Sequence, residues 1–201
     1  MKKLLSFVLA MTMTVAAMAQ KVKIQSGDLK FLKGEETVNV IFDYSDMKLL
    51  KENYTEEQYI PKRLEELNKK VEGSGDIWKK QWERSKEELW NPKFITIFNK
   101  TLEKEGIKMK LKENVQTRYT LKVNVKWIYP GWDAGIMKQA AKVNTQLVFV
   151  ETATNKVVCD IDSQEAPGDQ WGSNFNNETR IGEGFAKTGK TLAQKIEKEV
   201  K

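Results

Sequence analysis

The sequence predicts an α+β fold: a mainly antiparallel sheet of about four or five strands covered by helices, with a helical insertion after the first firm strand and a helix at the C-terminus. Three observations lead there. Tyr119, Leu121, Val123, Val125, Trp127 and Tyr129 alternate with Thr120, Lys122, Asn124 and Lys126, which is the two-residue period of a strand. Phe94, Ile97, Phe98 and Leu102 recur at three- and four-residue spacing, as do Phe185, Gly189, Leu192, Ile196 and Val200, the period of a helix with one apolar face. Three successive strands, from Tyr119, Val143 and Val157, follow one another through short or modest connections, and such strands pair most economically as an antiparallel meander.

The elements follow in order. Val22 to Leu32 reads as a short, loosely paired start, and "TVNVIFDYS" as the first firm strand, with Val38, Val40 and Phe42 on one side. Asn53 to Val71 changes to helical period through Ile60, Leu64, Leu67 and Val71, with a start expected near Pro61. Gly73-Ser74-Gly75 ends that helix, and Asp76 is placed to cap the next, which carries Trp78, Trp82 and Leu89 on one side. A second break is expected at Asn91-Pro92, where asparagine can cap and proline can take the first helical position. Gly106 stops the third helix. Ile107 to Leu111 is a short strand, and the long strand Tyr119 to Tyr129 follows, then the turn-rich "PGWDAG" and the strand carrying Val143, Thr145, Leu147 and Phe149. Thr154-Asn155 reverses the chain into Val157, Cys159 and Ile161. Pro167 to Asn177 is a polar loop holding Trp171 and Phe175, and the closing helix comes after it.

Lys2 and Lys3 precede an apolar run that closes on Ala17-Met18-Ala19, the pattern of a secretory signal peptide over residues 1–19. Cleavage after Ala19 would leave Gln20 first and residues 20–201 as one domain, periplasmic or secreted, with no cysteine at the cut to carry a lipid anchor and no transmembrane segment. Those residues hold 32 bases and 28 acids, a surplus too small to argue for nucleic acid, which needs a concentrated basic face. Histidine is absent and Cys159 is the only cysteine, which removes intramolecular disulfides, histidine triads and the usual zinc cages.

"GFAKTGKT", Gly184 to Thr191, matches the phosphate-loop pattern at every fixed position. Its surroundings do not fit, because "NNETRIGE" before it is no buried strand and only ten residues follow Thr191. Gly189 lies inside the apolar stripe and reads as the point where the helix approaches the sheet. No nucleotide, cofactor or metal is therefore expected. Asp160, Asp162 and Glu165 lack the glycine and late glutamate of a calcium loop, and alternation puts the two aspartates on the wet face, opposite a buried Cys159.

Two functions remain. Tyr129, Trp132, Trp171 and Phe175 stand in two loops and form a candidate binding patch for a partner protein or glycan, whereas Trp78, Trp82 and Trp90 are expected to pack on the sheet. Alternatively, carboxylates drawn from Asp133, Asp162, Glu165 and Asp169 could hydrolyse a glycan without histidine. No catalytic residue is assigned.

The order of elements resembles the small α+β domain of exported envelope proteins: the CsgG-type curli-secretion component, the N-terminal domain of the TolB translocation protein, and lipoprotein activators of penicillin-binding proteins. "VNVIFDYSD", "WNPKFITIFNKTLEKEGIKM", "YTLKVNVKWI" through "VVCDI", and "GFAKTGKTLAQKI" carry the likeness, over about Glu36 to Val200. The chain also resembles secreted proteins of Bacteroides-like bacteria. It departs from the lipoproteins in lacking the anchoring cysteine. The resemblance implies an accessory role in assembly or regulation, with another envelope protein or a cell-wall polymer as partner and no catalysis.

Overall fold

The computed structural model describes residues 20–133, 137–168 and 176–201. The expected signal peptide with its cut after Ala19, and Asp169, Trp171 and Phe175, lie outside the described residues. The sheet is built around β5 (Tyr119–Tyr129), the long alternating strand. On one side β8 (Lys142–Glu151) and β9 (Val157–Pro167) continue it as an antiparallel meander, and β1 (Lys21–Gly27) closes that edge antiparallel to β9. On the other side β2 (Thr37–Asp43) runs parallel to β5, and β4 (Lys110–Lys112) runs parallel to β2. The two-residue β3 (Lys48–Leu49) lies parallel beside the far end of β5.

The fold is α+β with a mostly antiparallel sheet, as expected, but the sheet has seven strands where four or five were expected, and it is mixed, with parallel pairing on the β2 side of β5. The helical insertion is the cause. It leaves from the end of β2 and is long enough to carry the chain back, so the strands on either side of it run in the same direction. Alternation has the same period in both kinds of ladder and does not distinguish them.

Helix α1 (Glu56–Lys70) begins five residues before Pro61. A capping box sets that start, with the Thr55 backbone N–H donating to Gln58 Oε1 at 3.0 Å. Pro61 sits inside the helix at the loss of one backbone donor. Gly73, at φ +77°, makes the expected break before α2 (Ser74–Ser85). Asp76 does not cap it: the Gly75 N–H in the first turn donates instead to Asn68 Oδ1 of the preceding helix at 2.7 Å.

The break expected at Asn91-Pro92 is absent. Helix α2 runs into α3 (Asn91–Lys104) through one wide π turn, Lys86–Trp90, in which the Asn91 N–H reaches back to Lys86 O. A widened turn is a place where a proline's missing donor and its ring are tolerated in a continuing helix. Asn91, freed from capping, accepts a hydrogen bond from the Tyr44 hydroxyl at 2.7 Å.

The last helix, α4 (Asn177–Val200), is capped by Asn176, whose Oδ1 accepts the Thr179 N–H at 2.8 Å. Two glycines set its distance from its neighbours. A Cβ on Gly184 would meet Val143 Cγ2 of β8 at 2.6 Å, and one on Gly189 would meet the Phe94 carbonyl oxygen of α3 at 2.5 Å. Gly189 therefore serves the approach of helix to helix, not of helix to sheet. The Gln20 side chain ties the start of the described chain down, donating to Ser163 Oγ of β9 at 2.9 Å and accepting from Thr191 Oγ1 of α4 at 2.6 Å.

Trp78, Trp82 and Trp90 are buried, but chiefly among helices. Rings follow one another from Tyr59 through Trp78, Trp82 and Trp90 to Phe185, with centroids 5.2 to 5.9 Å apart. A buried indole N–H needs an acceptor, and sheet carbonyls are spent within the ladder. Helix carboxylates, and in one case a first-turn carbonyl through its second lone pair, supply it: Trp78 donates to Glu178 Oε1 at 2.8 Å, Trp90 to Glu178 O at 2.9 Å and Trp82 to Glu56 Oε1 at 2.7 Å.

Candidate functional site

Alternation taken alone puts Trp127 and Tyr129 on the buried side of β5, together with Val123 and Val125. A β-bulge overrides it. The register against β8 shifts between Val125 and Trp127, so one extra residue is inserted and the parity of everything after it reverses. Ile128 is then the fully buried residue, while Trp127 and Tyr129 stand half-buried on the face turned away from the helices. Their rings stack with centroids 6.1 Å apart and planes 13° from parallel.

The stripe continues into the small hairpin formed by β6 (Trp132–Asp133) and β7 (Lys138–Gln139). Gly131, at φ +69°, makes this possible, because a Cβ there would sit 2.4 Å from Gln139 O. Gln139 Oε1 accepts hydrogen bonds from both the Tyr129 hydroxyl at 2.8 Å and the Trp132 indole N–H at 2.9 Å. The Trp127 indole N–H is held by Leu50 O at 2.6 Å. Three large rings are thus fixed near one another, Trp127 and Tyr129 by stacking and Tyr129 and Trp132 through a shared acceptor, and Trp132 is 40 % exposed. Of the four residues predicted as an aromatic patch, the structure brings Tyr129 and Trp132 together and adds Trp127.

Two concavities flank the stripe. One, of about 490 Å³, is lined by Tyr59, Arg63, Glu66, Tyr129, Trp132 and Arg180 among others. Charges of both signs meet there. Arg63 Nη1 contacts Glu66 Oε2 at 2.8 Å, and Lys138 Nζ lies 3.2 Å from Asp133 Oδ2. Burial weakens the hold of the Arg180 guanidinium on its proton, with Asp133 and Glu178 acting the other way, and burial pushes the Tyr59 phenol up to about 12. The other concavity, of about 660 Å³, lies beside Trp127 and has Lys21, Lys48, Lys51 and Lys126 in its lining.

Of the carboxylates singled out as a hydrolytic set, Asp133 and Glu165 do not share a concavity, and Asp169 lies outside the described residues. Asp133 lines the smaller concavity and Glu165 the larger. A hydrogen bond from Lys142 at 2.8 Å holds the Glu165 carboxyl below the usual range, the opposite of what a general acid requires. Asp162 accepts from Gln164 on its own strand at 2.6 Å. Among the described residues no three acidic or cysteine side chains are grouped as a metal would need.

Gly184 to Thr191 form interior turns of α4, where the backbone N–H groups are bonded within the helix and none is presented to a phosphate. Cys159 is fully buried on the core side of β9, and burial pushes its thiol up to about 11.

Fold and site together define an α+β domain in which aromatic rings at the end of β5 and in the adjoining hairpin lie between two concavities, one of them walled in part by α1 and α4. No family model matches the chain, and no curated protein matches it. The structure is similar to a crystal structure of the PelC dodecamer from Paraburkholderia phytofirmans, at a TM-score of 0.42 and 15 % identity over 87 % of this chain and 97 % of that one. A point variant of the same protein in another crystal form gives a TM-score of 0.40 at the same identity and coverage. Similarity at that level transfers no function.

Proposed function

We propose that this chain is an exported accessory protein, periplasmic or secreted, that binds a cell-wall polymer along the Trp127–Tyr129–Trp132 stripe and leaves it chemically unchanged. The observation that carries the reading is the set of rings held by Leu50 O and Gln139 Oε1 beside open concavities. Rings already fixed lose little freedom on binding, and their flat apolar faces with polar rims match the faces of sugar rings. The separation of Asp133 from Glu165 favours binding over hydrolysis. No helix among the described residues is long and apolar enough to cross a membrane. Export rests on residues 1–19, and N-terminal sequencing of the protein recovered from expressing bacteria should begin at Gln20.

An envelope protein is the second partner class, favoured by the mixed signs of Arg63, Glu66, Asp133 and Arg180 in the smaller concavity. The test is co-sedimentation of the purified protein with insoluble cell-wall glycan, alongside a pull-down from envelope extract. Trp132→Ala should weaken sedimentation by roughly 30-fold, the loss typical of a central aromatic anchor. Undiminished sedimentation of the variant, or release of soluble sugar by the wild type, removes the reading.

A further inference from the structure

We infer that the lysine-lined groove beside Trp127 takes the carboxylates of an acidic glycan, a chain of uronate-type sugars. This rests on the polymer-binding reading and adds the sign and class of the ligand. The groove, of about 660 Å³, is lined by Lys21, Lys48, Lys51 and Lys126 against one carboxylate, Glu165. Its surplus of three positive charges is half the formal +6 of the whole chain. The even distribution of charge along the sequence hides this, because Lys21 comes from β1, Lys48 and Lys51 from the segment after β2, and Lys126 from β5.

Those charges are open to a ligand. Glu165 is already engaged by Lys142, just outside the groove, at 2.8 Å. Lys126 meets Asp46 at 3.2 Å, an exposed pair of the kind that contributes little and exchanges readily. Among the described residues Lys21, Lys48 and Lys51 make no ion pair, and all three are exposed. A groove with one sign of charge and a low-dielectric wall concentrates counter-ions.

The lining also favours a sugar over a phosphate polymer. Among the described residues it contains no arginine, the residue whose planar fork suits phosphate bidentately. It does contain Asn53, Asn144 and Gln164, whose amides can meet ring hydroxyls. Two of these are oriented. Asn144 Oδ1 accepts the Glu165 N–H at 2.7 Å, which leaves its NH₂ as donor, and Gln164 Nε2 donates to Asp162 at 2.6 Å, which leaves its oxygen as acceptor. Trp127, pinned to Leu50 O, forms the aromatic side of the same groove.

The test measures binding of the full chain to a short linear oligogalacturonate and to the same oligomer with its carboxylates methyl-esterified. The acid form should bind at least tenfold more tightly, and its advantage should shrink between about 50 and 200 mM NaCl. Lys48→Gln with Lys51→Gln should weaken the acid form roughly tenfold and leave the ester unchanged, with the melting temperature of the protein unaltered. Equal binding of acid and ester, undisturbed by the lysine changes, overturns the acidic ligand while the polymer reading stands. Displacement of the acid oligomer by a lower concentration of single-stranded DNA overturns it in favour of nucleic acid. Failure to bind either oligomer, with sedimentation insensitive to Trp132→Ala, removes both readings.

Discussion

Replacing Gly189 by alanine should destabilise the fold, although alanine is the better helix former. In an exposed helix interior the change would stabilise by about 1 kcal/mol. At position 189 the new Cβ would lie 2.5 Å from the Phe94 carbonyl oxygen, against the 3.4 Å where ordinary contact begins. The obstacle is the backbone of α3, which cannot rotate away as a side chain can, so the two helices must separate by up to about 0.9 Å. A gap of that size forfeits a quarter to a half of each dispersion contact across it, and overpacking of this kind costs about 1–3 kcal/mol. The net expectation is a loss of up to about 2 kcal/mol.

Gly182→Ala in the same helix is the control. There the nearest atom is Lys93 Cδ at 3.1 Å, the middle of a flexible side chain, so the propensity gain should survive in part. Urea unfolding followed by tryptophan fluorescence reads both variants as shifts in midpoint at constant slope. A Gly189→Ala protein more stable than wild type would refute the close approach of α4 to α3 and with it the packing explanation of the Gly189-Lys190 pair.

Glu178→Ala should cost about 1–3 kcal/mol by leaving the buried Trp78 indole N–H without an acceptor, whereas Glu178→Gln, which keeps one, should cost less; urea midpoints distinguish them. The Cys159 thiol is held protonated to about 11 in the folded state and releases its proton near 9.0 when exposed. The folded chain therefore binds the extra proton within that window, stability falls as pH rises through it, and Cys159→Ala should flatten that part of the dependence in unfolding measured at successive pH values. Lys190→Ala should leave the melting temperature unchanged, and millimolar ATP should shift neither protein. A saturating nucleotide site would instead stabilise the wild type by about 2.7 kcal/mol at a hundredfold excess over Kd.

Periodicity determined the longest elements. The residues that alternate between Tyr119 and Tyr129 form a strand over that span, and the apolar stripe from Phe185 to Val200 is the buried face of a helix, because side-chain spacing on a strand or helix is a local property of the backbone. Composition likewise removed whole chemistries, since a chain without histidine builds no imidazole site wherever its residues fall. Chain direction was not legible, because parallel and antiparallel strands share one alternation and only the crossover through α1 to α3 sets β2 beside β5 in the same sense. Continuity through Asn91-Pro92 was hidden for a similar reason: a π turn accommodates a proline that propensity assigns to a helix start.

The candidate site depended most on what lies beyond local spacing. A single bulged residue after Val125 turns Trp127 and Tyr129 from the core side to the outer side, and bulges arise from pairing with a neighbour. Tyr129 and Trp132 were visible from the turn at Pro130 and Gly131, but Trp127 carried no sign of its exposure. The lysines at 21, 48, 51 and 126 look evenly scattered along the chain and meet only because three separate strands end at one place. Sequence thus settled where the longest strands and the last helix lie and that imidazole is absent, while tertiary structure decided which way the rings face and where the charge gathers, since both depend on contacts between residues far apart in the chain.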